Sequence, residues 1–147
     1  MIDRDSFFAR TMHTPDTPER AELRDALGAI SAALIPLHRL LIETAKSDYA
    51  FAFGPVGSAR LVELIRSDPF FAWLQPLTSL IVDVDEMRRT DFALEDVASI
   101  ALRLERLFGA NERDAVFADR YIEILQRQVD VAIAHAALRG AMQRLAR

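Results

Sequence analysis

Residues 68–87 read DPFFAWLQPLTSLIVDVDEM, and this stretch decides the fold class. Asp68 followed by Pro69 is a helix start, because a short acceptor side chain caps the first free N–H groups and proline has no N–H to waste there. Trp73, the only tryptophan, follows Phe70 and Phe71, and Pro76 comes one turn later. The run is too apolar for a surface helix. Gln75, Pro76 and Asp83 interrupt it before it reaches the roughly 20 apolar residues that a membrane span needs. It therefore reads as the central element of a small helical core.

Working outward, helix punctuation recurs on both sides. Thr17-Pro18-Glu19 supplies a cap, a first-position proline and a first-turn acid. Apolar residues then return at helical spacing through Leu23, Leu27, Ile30, Leu34, Leu37, Leu41 and Ala45. The helix is expected to run to Phe53, with Gly54-Pro55 as its stop. Ser58 is placed as the cap of a short connector carrying Leu61, Val62, Leu64 and Ile65. The third helix restarts at Asp68-Pro69 and ends near Arg89. Thr90 or Asp91 is expected to cap a fourth, with Leu94, Val97, Ala101, Leu104 and Phe108 on one face and Gly109 as its end. Asn111 and Asp114 have the spacing of a capping box before a last helix, which is expected to break near Gln128.

No segment alternates as a strand with hairpin turns. The expected fold is all-α: a bundle of about four long helices plus a short connecting helix, with two helices kinked at Pro36 and Pro76. Residues 1–16 read as an irregular arm and 17–147 as a single domain.

Composition narrows the function classes. The 147 residues include no cysteine, which removes disulfides, thiolate metal sites and cysteine nucleophiles and agrees with a reducing compartment. The N-terminus, charged at Asp3, Arg4 and Asp5, has no signal-peptide core, so a cytoplasmic location with no membrane association is expected. Net charge is −4, divided as −6 over residues 1–99 and +2 over 100–147. The C-terminal arginines are spread along helices and form no concentrated basic stripe, so nucleic acid is not an expected partner.

Two histidines are the candidates for chemistry. His38 borders an apolar helix face beside Leu34, Ile35, Leu41 and Ile42. His135 lies in the 4-3 series Ile124, Gln128, Val131, His135, Leu138, Met142, Leu145, the middle of a packing seam. A histidine there needs a hydrogen-bond partner, a carboxylate, a metal or a ligand, and the commonest outcome is a satisfied core histidine. His13 falls in the irregular arm. Asp83, Asp85, Glu43 and Glu123 sit beside apolar residues, but most such acids are a solvated helix face. The di-iron pattern needs Glu three residues before His, and those positions hold Ile35 and Ala132. No cofactor is implied. The nucleophile-elbow, phosphate-loop, dinucleotide and zinc-protease motifs are all missing.

The segment Asp68 to Ile81, preceded by Gly54-Pro55-Val56-Gly57, resembles a pattern in an uncharacterised bacterial family of small helical proteins. The resemblance covers the middle third of the chain. It implies a bacterial origin and a stable small fold, and it carries no activity.

The leading expectation is a non-catalytic helical protein that self-associates or docks a partner. Ile122, Leu125, Val129 and Ile133 lie off the seam of the last helix, so a single bundle has more apolar surface than it can bury, which favours a homodimer. Phe70, Phe71 and Trp73 are the candidate partner-binding aromatics, with core packing as the commoner role. A small-molecule or metal site using His38 and His135 is the second expectation. An enzyme built from scattered carboxylates and histidine is the third.

Overall fold

The computed structural model describes residues 17–110 and 113–146. Every regular element among them is a helix, and the protein is all-α. We number the helices α1 (Pro18–Phe53), α2 (Ser58–Ser67), α3 (Gln75–Arg89), α4 (Leu94–Phe108), α5 (Ala115–Arg127) and α6 (Val129–Ala146), with a 3-10 helix over Pro69–Leu74 between α2 and α3. The arm, His13 and Asn111 lie outside the described residues.

Helices α1, α3, α4 and α6 close a ring in which each packs on the next. Cross-helix bonds fix their directions. On α3, Thr78 meets His38 of α1 and Arg88 meets Ser31, so α3 runs down as α1 runs up. Arg103 of α4 reaches both Ser79 and Asp83 of α3, and Arg139 of α6 reaches Glu105 of α4. Gln128, at the start of α6, donates to Thr44 near the end of α1. The ring is thus an up-down-up-down bundle, the topology that short connections impose.

The α1 helix is the longest, about 54 Å at 1.5 Å per residue, against about 27 Å for α6. Its inner face, Leu27, Ile30, Leu34, Leu37 and Leu41, is fully buried. One 18-residue window of α1 has a mean hydropathy of 1.4, enough by length and composition to cross a membrane. Of that window 39% is buried, where α1 packs on α3 and α6. The last buried residue of α1 is Ala45. The two turns beyond it overhang the ring, and the 3-10 helix returns along them through Tyr49, whose ring is 5.3 Å from Phe70 and 5.6 Å from Phe71. Gly54 ends α1 at φ 97°, a left-handed value that glycine alone adopts without strain.

Helix α5 lies across the same end of the ring, joining the top of α4 to the top of α6. Phe117 is its anchor: fully buried, with ring centroids 5.8 Å from Trp73, 5.5 Å from Phe108 and 5.2 Å from Tyr121. Helix α2, the 3-10 helix and α5 therefore form a cap over one end of a four-helix ring.

Several local expectations change. Pro76 kinks nothing: it stands at the second position of α3, and the chain switches helix type just before it. The Ala72 carbonyl that Pro76 cannot serve accepts instead from Gln75 N–H, three residues on. Helix α1 runs unbroken through Pro36, and Pro36 and Ala32 are both exposed, so the carbonyl that Pro36 cannot serve lies on the solvent side. Ser58 is the first residue of α2 rather than its cap, and Gly57 holds the cap position. Thr90 ends α3, and α4 is capped by Asp96, whose carboxylate accepts from Ala93 N–H at 2.9 Å. Asp91 binds Arg20 of α1 instead. Asp114 caps α5 by accepting from Phe117 N–H at 3.0 Å, and the expected break falls at Gln128.

Candidate functional site at the capped end of the bundle

Each sequence-predicted histidine has a hydroxyl partner, and the two partners lie on different helices. Thr78 spends its own proton on the Leu74 carbonyl at 3.2 Å, so its oxygen accepts from His38 Nε2–H at 3.0 Å. Burial holds the His38 imidazole below its ordinary pKa of 6.5. His135 Nδ1 is 2.7 Å from the Tyr121 hydroxyl, with the Tyr121 and Phe108 rings beside it. Its pKa is also lowered, first by burial and then by the charges of Arg139 and Arg113. Burial pushes the Tyr121 phenol well above its ordinary value, so it stays protonated and donates to the neutral imidazole. Among the described residues no three metal-ligating side chains gather. The carboxylates singled out in the sequence serve surface pairs or none: Asp83 binds Arg103 at 2.6 Å, Asp85 binds Arg89, and Glu43 and Glu123 line the clefts described below.

The aromatic prediction is corrected in part. Phe71 is fully buried and Trp73 is 6% exposed, so both are core residues with no face to offer. They fill the gap between ring and cap, which only large rings can span. Phe70 is half-buried. The exposed aromatics are instead Phe51, at 96%, and Phe53, at 68%. A signal for them exists in the sequence: the helical run of apolar positions in α1 gives out at Ala45, and the aromatic residues after it have no inner face to join.

These rings are part of a wider pattern. Ten large apolar side chains are exposed among the described residues, and six of them sit on the elements of the capped end: Phe51, Phe53, Val62, Val116, Val129 and Ile133. Val129 and Ile133 are two of the four off-seam residues of α6 and α5 that the sequence marks; Ile122 and Leu125 are half-buried.

Two adjoining clefts open between the overhang of α1 and the far end of α5. The smaller has a volume of about 10 Å³ and is lined by Asp48, Trp73, Arg120, Glu123 and Arg127 over a floor of Ala45 and Ile124. The larger, about 290 Å³, is lined by Glu43, Thr44, Ser47 and Gln128 and shares Asp48 and Arg127 with the first. Arg127 and Asp48 stand 3.6 Å apart between them, a pair too long for a strong hydrogen bond. At the opposite end of the bundle an open cavity of about 420 Å³ is lined by Glu19, Glu22, Asp25 and Arg144. No spacing in the sequence announces the paired clefts, because their residues come from three elements that meet only in the fold.

Comparison with known protein families, with curated proteins and with solved structures returns no match for this chain.

Proposed function

We propose that this chain is a non-catalytic helical module that works by self-association, or by docking a protein partner, through the capped end of its bundle. One observation carries the reading: six of the ten exposed large apolar side chains among the described residues sit on the elements of the capped end, with Phe51 at 96% exposure on the α1 overhang. Large apolar groups concentrated on one surface mark interaction sites, whereas scattered single ones do not. A second copy is the first partner to test, since an isologous contact covers the same patch on both chains. The absence of cysteine and the bacterial resemblance support placing this function in a bacterial cytoplasm. A metal or small-molecule role for His38 and His135 has less support, because each already has a hydroxyl partner.

Sedimentation equilibrium across the micromolar range tests the proposal. A mass that rises with concentration from one chain to two supports it. A single-chain mass throughout, with no affinity for any protein of the native host in cross-linking, would sink it.

A further inference from the structure

Helix α6 is apolar on more sides than the bundle covers. Its inner face, Val131, Leu138, Ala141, Met142 and Leu145, is buried against the ring. Its outer face carries Val129, Ile133, Ala136 and Gly140 at 4-3-4 spacing, all exposed, with Val129 at 74% and Ile133 at 65%. Between Asp130 and Arg144 the only Asp, Glu, Lys or Arg is Arg139, and it turns away to Glu105 of α4 at 3.3 Å. A surface helix keeps polar residues opposite its buried stripe, and a helix that is apolar all round is covered. The two charges that bound this face, Asp130 and Arg144, are opposite in sign, exposed, and in no ion pair among the described residues.

We propose that a second copy of this chain seats on the outer face of α6, the two α6 helices packed antiparallel about a twofold axis beside Ala136. This rests on the self-association reading above and extends the contact from the cap down α6. About that axis Ile133 stands opposite the partner's Gly140, where a side chain has open space, Ala136 meets the partner's Ala136, and Asp130 comes beside the partner's Arg144. Each pairing across the axis repeats by symmetry. The charges fix the direction, since a parallel pair would set Asp130 against Asp130 and Arg144 against Arg144. The same axis uses the α1 overhang. The Gln128–Thr44 bond sets the top of α6 level with Thr44. At 1.5 Å per residue, Ala136 lies about 12 Å below that level and Phe51 about 10 Å above it. Rotation about the axis brings Phe51 level with the partner's Ala21, beside the open cavity that Leu23, Ala26 and Arg144 help to line. A twofold axis perpendicular to the α6 pair keeps α1 of both copies on one side, so the tip and α6 are covered in one contact.

A chain without cysteine makes the test direct. Ala136→Cys is expected to form a disulfide-linked dimer on mild oxidation at micromolar concentration, because the axis brings the two Cα atoms within the roughly 4.4–6.8 Å that a disulfide spans. Ala98→Cys, exposed on α4, is expected to stay single-chain under the same conditions. Ile133→Asp is expected to raise the dimer dissociation constant in sedimentation equilibrium about a hundredfold or more. Asp130→Arg and Arg144→Asp are each expected to raise it about tenfold, and the double variant to restore it. Any folding cost of either charge change persists in the double variant, so the restoration reports the pairing. A single-chain mass for the unsubstituted protein at every concentration overturns this inference together with the self-association reading. A dimer that neither Ile133→Asp nor the charge reversals weaken, or that Ala136→Cys fails to lock, overturns the α6 contact alone and leaves self-association through the cap. A double variant weaker than both single ones overturns the antiparallel pairing, and the proposal with it.

Discussion

Phe117 and Phe51 are the same residue in opposite surroundings, and substituting each by alanine separates what holds the fold from what is left over for binding. Phe117 is fully buried and touches three rings from two other elements and its own helix. Removing a buried phenyl costs about 3–5 kcal/mol, and each aromatic pair adds about 0.5–1.5 kcal/mol beyond area burial. With three pairs lost, Phe117→Ala belongs near the top of that range, about 4–5 kcal/mol, out of a total of about 5–15 kcal/mol for a domain. At about 2–4 °C per kcal/mol, the melting temperature drops by about 8–20 °C. Phe51, 96% exposed, has almost nothing to lose, and Phe51→Ala should change stability by no more than about 0.5 kcal/mol. Its effect is expected on association. Burying a phenyl is worth about 1.5–3 kcal/mol, and a twofold interface buries it twice, so the dimer dissociation constant rises by about a hundredfold to ten-thousandfold. Urea titrations followed by Trp73 fluorescence give the stabilities, and sedimentation equilibrium gives the association. A Phe117→Ala cost below about 2 kcal/mol, or a Phe51→Ala cost above about 1 kcal/mol, would refute the division between core and cap.

Both histidines have lowered native pKa values, so the unfolded chain takes up protons first as pH falls. Stability is therefore expected to be full above the unfolded value of about 6.5 and to decline as pH drops from there through the lower native values, read as a falling urea midpoint between about pH 7.5 and 5.5. Gly109→Ala should destabilise, since its Cβ would stand 2.6 Å from the Glu105 carbonyl oxygen and crowd the side chain that pairs with Arg139. Gly140→Ala should raise stability by about 0.5–1 kcal/mol, because the new methyl meets nothing within 4 Å and helical glycine is entropically costly. Differential scanning calorimetry on the two glycine variants should show shifts of opposite sign. Asp114→Ala, by losing the bond to Phe117 N–H, should cost about 1 kcal/mol and fray α5, seen as faster amide exchange in its first turn.

The ring was legible in the sequence because its signals are local. Thr17 accepts from Arg20 N–H at 3.2 Å as its position beside Pro18 implies, and every position of the series Leu27 to Ala45 that the period marks is buried. The seam of α6 emerges likewise, with Val131, Leu138, Met142 and Leu145 buried around a half-buried His135. The cap was not legible. Asp68-Pro69 marks a helix start but not its type, and the 3-10 turn depends on Pro76 denying Ala72 its usual bond while Gln75 takes it. Whether Phe70, Phe71 or Trp73 faces inward depends on that turn and on α5 crossing above it. The pairing of Trp73 with Arg120, 47 positions later, has no trace in any spacing.

The α1 overhang ties these features together. Ordering its two turns beyond Ala45 costs conformational entropy, about 1–2 kcal/mol per residue, with little burial of their own in return. What the overhang does provide is Tyr49, which holds Phe70 edge-on at 5.3 Å, while Phe70 in turn forms the bed for Arg120. One residue before Tyr49 it presents Asp48 to Arg127, and two residues after Tyr49 it presents Phe51 to solvent. Inside the ring the polar groups already have partners: Ser31 with Arg88, Thr44 with Gln128, His38 with Thr78, His135 with Tyr121. The unspent chemistry, an apolar tip and a Trp73 indole N–H with no acceptor among the described residues, lies where α1 continues past the core it is needed for. That places the proposed activity of this protein in its cap and leaves the four-helix ring as the scaffold that holds the cap rigid.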